Sequence, residues 1–190
     1  THHSAVSFLL SLMELVAGGY SNEAVMRLVK SGVMDHSRDD IELLENYVTQ
    51  YRIRGAAWKS PFTKGVGTYS EDELSHMEAI RESIIGTVET ARRSIGSRNR
   101  AEVKIRGLYD FLDGEFGITE RIETLMQRQK EMELSEAAAE TAQSWNVICR
   151  IMDQIIDTVG EERISNRELL TLMTAGFEEV EIGLVPVSSD

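Results

Sequence analysis

One cysteine and two prolines occur in 190 residues, and basic side chains are scarce, 20 Lys and Arg against 32 Asp and Glu. A lone cysteine excludes an internal disulfide framework, and any zinc or iron–sulfur centre built from several cysteines of this chain. The formal net charge of −12 argues against a free-standing nucleic-acid binder, because phosphate neutralisation needs clustered Lys and Arg. Apolar runs are interrupted by charge too often for a membrane span. The apolar first 16 residues lack a basic leading segment and a small-residue cleavage site, so no signal peptide is expected. The chain opens at Thr1-His2-His3-Ser4 without Met and stops in Val185-Pro186-Val187-Ser188-Ser189-Asp190, which leads us to expect a piece of a longer protein.

A hydrophobic content of 42% is too high for a disordered chain and is enough for the core of one domain or slightly more. Its spacing is helical nearly everywhere. Residues 4–17 place Val6, Phe8, Leu9, Leu12, Met13 and Val16 around most of a helix, which predicts burial on several sides. Gly18-Gly19 can supply a left-handed end to it. Ser21 is a candidate N-cap for a helix to about Lys30, stopped by Gly32, and Ser37 or Asp39 for one to about Arg52. Between Ile53 and Tyr69 the period lapses among Gly55, Pro61, Gly65 and Gly67, predicting a long loop. Ser70 and Glu73 form a capping box for a long helix, and Ser165 and Glu168 form another. Further helices are expected near 101–112, 118–133 and 135–159, the last two either separate or one broken helix. Only Val180 to Val187 reads as strand. The expected fold is mainly α: a multi-helix domain with one short C-terminal strand.

The residues that carry chemistry are sparse. Gly65-Val66-Gly67 lacks the Gly-Lys-Ser/Thr that completes a phosphate loop. Glu73 and His76 have the three-residue spacing of di-iron helices, but no second such pair exists. Cys149 sits between Ile148 and Ile151, and reads as a buried small residue rather than a nucleophile. No catalytic, cofactor-binding or metal-binding residue can be singled out.

Two departures from the acidic average stand out. From Asn46 to Ser70 there is no acid, while Arg52, Arg54, Lys59 and Lys64 alternate with Tyr51, Trp58 and Phe62. From Arg92 to Arg106 six cations, Arg92, Arg93, Arg98, Arg100, Lys104 and Arg106, face Glu102 alone. Cations interleaved with aromatic rings are what phosphate contact plus base stacking requires. The competing explanation is a solvated turn between helices.

Leu44-Glu45-Asn46-Tyr47-Val48 followed by Arg54-Gly55-Ala56-Ala57-Trp58 resembles a segment of the AddB/RexB family. These are the B subunits of bacterial ATP-dependent helicase–nucleases that process double-strand DNA ends. His2 through Leu15, Gly19 through Gly32, Trp145 through Gln154 and Glu178 to Asp190 resemble flanking segments of that family in the same order. The resemblance implies the second motor-like domain of a superfamily 1 helicase. Residues 1–34 and 164–190 would be motor-core-like segments, and 35–163 a helical insertion. It implies DNA and an AddA-type helicase–nuclease subunit as partners, no membrane, and a cytoplasmic location. ATP, Mg and an iron–sulfur cluster would be held elsewhere in a longer chain. The candidate DNA contacts are Arg52, Arg54, Trp58 and Lys59 first, then Arg98, Arg100 and Lys104. Two other readings stand beside it. One is a helical module docking the partner subunit or the nuclease domain, with the Trp58 loop as its anchor. The other is an unrelated helical regulator, which first and last segments that do not pack together would favour.

Overall fold

The computed structural model describes residues 3–183, excepting the side chains of 181–183. Its centre is α1 (Ser4–Ala17), of whose fourteen residues ten are buried. Glu14 is its one charged side chain, so burial on all sides leaves almost no ion to desolvate. Four helices cover it: α2 (Asn22–Lys30), α4 (Glu71–Ile95), α7 (Ser135–Val159) and α8 (Asn166–Gly183). The first and last described helices therefore pack together, which the unrelated-regulator reading did not require. One apolar cluster runs from Ala5 to Phe177 and is continuous through both 34 and 164.

Helix ends follow the sequence closely, with one exchange of mechanism. Gly18 is not left-handed (φ −127°). The end of α1 is capped from outside instead: Arg92 of α4 donates Nη1 to Val16 O at 2.7 Å and Nη2 to Leu15 O at 3.1 Å. A guanidinium there also complements the negative end of the helix dipole. Ser21 Oγ accepts from Ala24 N at 3.2 Å. At α3 (Arg38–Gln50) Ser37, not Asp39, is the cap, accepting from Asp40 N at 3.1 Å. Both capping boxes form, Ser70 with Glu73 and Ser165 with Glu168. Glu73 is thereby occupied, and His76 faces Asp40 at 3.3 Å.

α5 (Ala101–Asp113) crosses α4 at Gly107, where a Cβ would lie 2.0 Å from Ser94 O. No larger residue allows that approach. α6 (Ile118–Glu131) and α7 are separate, divided at Glu133 (φ 61°). Two short strands, β1 (Asn99–Arg100) and β2 (Arg163–Ile164), pair antiparallel with Asn99 opposite Ile164. At two residues each they leave no periodic trace. Of the strand expected over 180–187, Val180 to Gly183 are helical and the rest lies outside the described residues. Leu169, Met173 and Phe177 are buried at four-residue steps and Val180 packs against the same cluster, so the helical period continues through the apolar residues that suggested a strand. No helix among the described residues is long and apolar enough to cross a membrane.

Candidate nucleic-acid interface

The loop after α3 is tied down at almost every turn. Tyr47 is fully buried, and its hydroxyl donates to Lys64 O at 2.9 Å and accepts from Lys64 N at 3.2 Å. Its ring meets those of Tyr51, Phe62 and Tyr69 at 4.8, 4.7 and 5.7 Å between centroids. A short 3₁₀ turn, Gly55–Lys59, carries Trp58 inward. The Trp58 indole is completely buried, donating Nε1 to Asn22 Oδ1 at 2.8 Å. Asn22 in turn donates Nδ2 to Ile53 O at 2.8 Å, and Gly55 N donates to Tyr20 O at 3.1 Å.

A buried arginine completes the clamp. Arg81 of α4, 5% exposed, donates Nη1 to Trp58 O at 3.1 Å and pairs with Glu78. Glu78 also accepts from Phe62 N at 2.9 Å. Burial acts to raise the Glu78 carboxyl, but the Arg81 hydrogen bonds, the Phe62 N–H and the Arg81 charge together hold it below its ordinary value. Glu89 behaves alike: burial opposes ionisation, yet the Tyr20 hydroxyl at 2.8 Å and the charges of Arg92 and Lys59 keep it depressed. Sequence reading missed Asn22, Glu78, Arg81 and Glu89, because none stands in a motif. The local signals were the Glu78–Arg81 and Glu89–Arg92 spacings of three on a helix.

This scaffold fixes what remains outside. Arg52, in the left-handed region at φ 51°, and Arg54, with extended backbone, are exposed. Among the described residues neither makes an ion pair. Lys59 is exposed but lies 3.6 Å from Glu89. Trp58 faces the core, so its ring offers no platform to a base or to a protein surface. That corrects its placement among the contacts.

Most of the second basic stretch is engaged within the fold, while Arg93 and Arg106 stay exposed. Lys104 is fully buried, donating Nζ to Gly96 O at 3.1 Å, Ser97 O at 2.7 Å and Asn166 Oδ1 at 2.6 Å. It thus caps α4 and ties it to the start of α8, while burial lowers its pKa. Its assignment as a DNA contact is corrected accordingly. Arg98 pairs with Glu168 at 3.2 Å and donates to Arg163 O, bracing β1 against β2. Arg100 pairs with Glu102 at 2.8 Å. Both remain exposed, with their charge partly neutralised. Arg52 and Arg54 are thus the candidates that are both accessible and uncompensated.

No family model matches the chain. It is similar to the B subunit of the ATP-dependent helicase/deoxyribonuclease of Clostridium botulinum (strain Langeland), 30% identical over 194 residues. The proteins of the same name from Alkaliphilus oremlandii and Clostridioides difficile (strain 630) are 31% and 32% identical. In each case 97% of this chain is covered, and the chain spans 17% of the relative's length.

Proposed function

The chain belongs to the family of ATP-dependent helicase/deoxyribonuclease B subunits, and from that premise we propose that it is a non-catalytic segment that positions DNA. The whole protein would be the B subunit of a helicase–exonuclease that processes double-strand ends for recombinational repair in the cytoplasm. An AddA-type subunit would be its partner. ATP, Mg and an iron–sulfur cluster would belong to other parts of the assembly. Within the segment, 1–34 and 164–190 would be motor-core-like and 35–163 the helical insertion; the packing of α1 on α8 supports the first pairing.

The observation that carries the DNA role is the pair Arg52 and Arg54, held exposed and without ion pairs on a loop anchored by Trp58 and Arg81. A fixed loop presents its cations at little entropic cost. Such contacts bind phosphate, giving affinity without reading sequence. Lys59 adds charge at the edge of the same loop, and Arg98 and Arg100 are secondary contacts.

The test is duplex-end binding by the intact B subunit with its partner, across a salt titration, comparing wild type with Arg52→Glu/Arg54→Glu. Each lost phosphate contact lowers the slope of log K against log salt by about 0.9, so affinity falls and the slope flattens by roughly two units. Unchanged affinity and slope would refute the assignment. A photoreactive residue at the exposed Ala57 separates DNA contact from docking: crosslinks to DNA support this reading, and crosslinks to the partner subunit support docking.

A further inference from the structure

On α5 and α7 the chain shows a surface of a different character. A groove of about 410 Å³ opens between them, floored by Ile105 of α5 and by Cys149, Met152 and Ile156 of α7. Tyr109 lines one wall, 39% exposed, its ring stacked on Trp145 at 5.8 Å. Val103, one helical turn before Arg106, is 38% exposed. These are two of the few large apolar side chains left in solvent among the described residues.

The rim is acidic. Asp153 lines the groove, and Asp110 and Asp113 follow Tyr109 on α5. None of the three makes an ion pair among the described residues. They lie close to the groove's titratable groups. The Asp113 charge is the main cause raising the Tyr109 phenol, and Asp153 and Asp113 add to burial in raising the Cys149 thiol. Against them stand Arg106, which lines the groove, and Arg150, exposed on α7 beside Cys149. A polyanion is repelled by such a rim, and an acidic protein surface equally so.

We propose that the groove between α5 and α7 docks a basic amphipathic helix of a protein partner. Its apolar side chains would enter between the two helices, and its cations would meet Asp110, Asp113 and Asp153. The space between two packed helices accepts a third by the ordinary ridge-and-groove fit. Charge complementarity chooses the partner, since three uncompensated carboxylates gain from Lys or Arg placed beside them. The inference does not depend on the DNA role of Arg52 and Arg54.

Cys149 is the chain's one thiol and lies on the groove floor, which makes it a reporter. The rate of its maleimide alkylation is measured in the chain alone and with a synthetic Leu/Lys amphipathic helical peptide. The expected result is saturable protection of at least tenfold, with a parallel change in Trp145 fluorescence in a Trp58→Phe background. A Leu/Glu peptide of the same pattern, and a Leu/Lys peptide scrambled to lose its apolar face, should give none. Asp113→Lys/Asp153→Lys should abolish protection, expressed as the ratio of rates with and without peptide, while circular dichroism is unchanged. Absent protection, equal protection by the acidic or scrambled peptide, or protection surviving the double charge reversal would each overturn the proposal. So would protection by a single-stranded oligonucleotide, or by raising the concentration of the chain itself.

Discussion

Residues 46–70 carry four cations and no acid, and residues 92–106 carry six cations and one acid. By charge alone the second stretch is the stronger candidate for contacting phosphate, yet the fold removes that advantage. In 92–106 four of the six cations face helix ends and acids: Arg92 closes α1, Lys104 closes α4, and Arg98 and Arg100 meet Glu168 and Glu102, while Arg93 and Arg106 stay exposed. In 46–70 the aromatic residues do the holding, so the arginines are left to solvent. The pattern of rings between cations that suggested base stacking is real, but its rings point into the core. Basic residues near the C-terminal ends of helices are therefore ambiguous by position, because a carbonyl cluster is as good an acceptor as a phosphate.

The comparison can be broken at its anchors first. Trp58→Ala should cost about 3–5 kcal/mol, as for other buried large aromatics, and should release the loop that presents Arg52 and Arg54. Chemical denaturation gives the cost, and proteolysis between 52 and 69 reports the release. A smaller effect is expected at the buried cation of the other stretch. Lys104→Met should lose about 2–4 kcal/mol, because Gly96 O and Ser97 O lose a charged donor. Loss of stability without any change in DNA affinity per folded molecule would confirm its internal role.

Acid should loosen the first stretch more gently. Glu78 and Glu89 have folded pKa values below the ordinary 4.5. Their contribution is therefore complete above pH 4.5 and is lost as pH falls through the folded values. Trp58 emission should shift red over that range and recover on neutralisation. Glu78→Gln should narrow the change, since an amide no longer titrates. The smallest stability effect belongs to the proposed contacts: Arg52→Glu/Arg54→Glu should stay within about 0.5 kcal/mol of wild type. Arg98→Glu/Arg100→Glu should cost at most about 1 kcal/mol and leave the salt slope of DNA binding steeper than the Arg52/Arg54 pair does.

Much of the fold was legible because its signals are local. Ser21, Ser70 and Ser165 announce helix starts through hydrogen bonds spanning three residues. The apolar circumference of residues 4–17 announces a helix covered on every side. What escaped depends on distant partners. The true cap of α1 comes from Arg92, and the contact closing the Trp58 turn comes from Asn22. The strand pair joins residues far apart in the chain, Asn99 and Ile164. Val180 misled because an apolar, β-branched run before a proline reads as strand, whereas the helical face already set by Met173 and Phe177 absorbs it. The site was half legible: the acid-free stretch was visible, but the inward direction of Trp58 was not.

The central position of α1 has a consequence for how the chain comes to be folded. The four described helices that cover α1 all follow it in the chain, and α8 begins about 150 residues later. Until α7 and α8 emerge, an almost uncharged helix has part of its surface without a native cover. Long-range closure of this kind slows folding and lengthens the life of sticky intermediates. Translation arrested before Asn166 should therefore leave a nascent chain that engages chaperones, and arrest past α8 should lower that engagement.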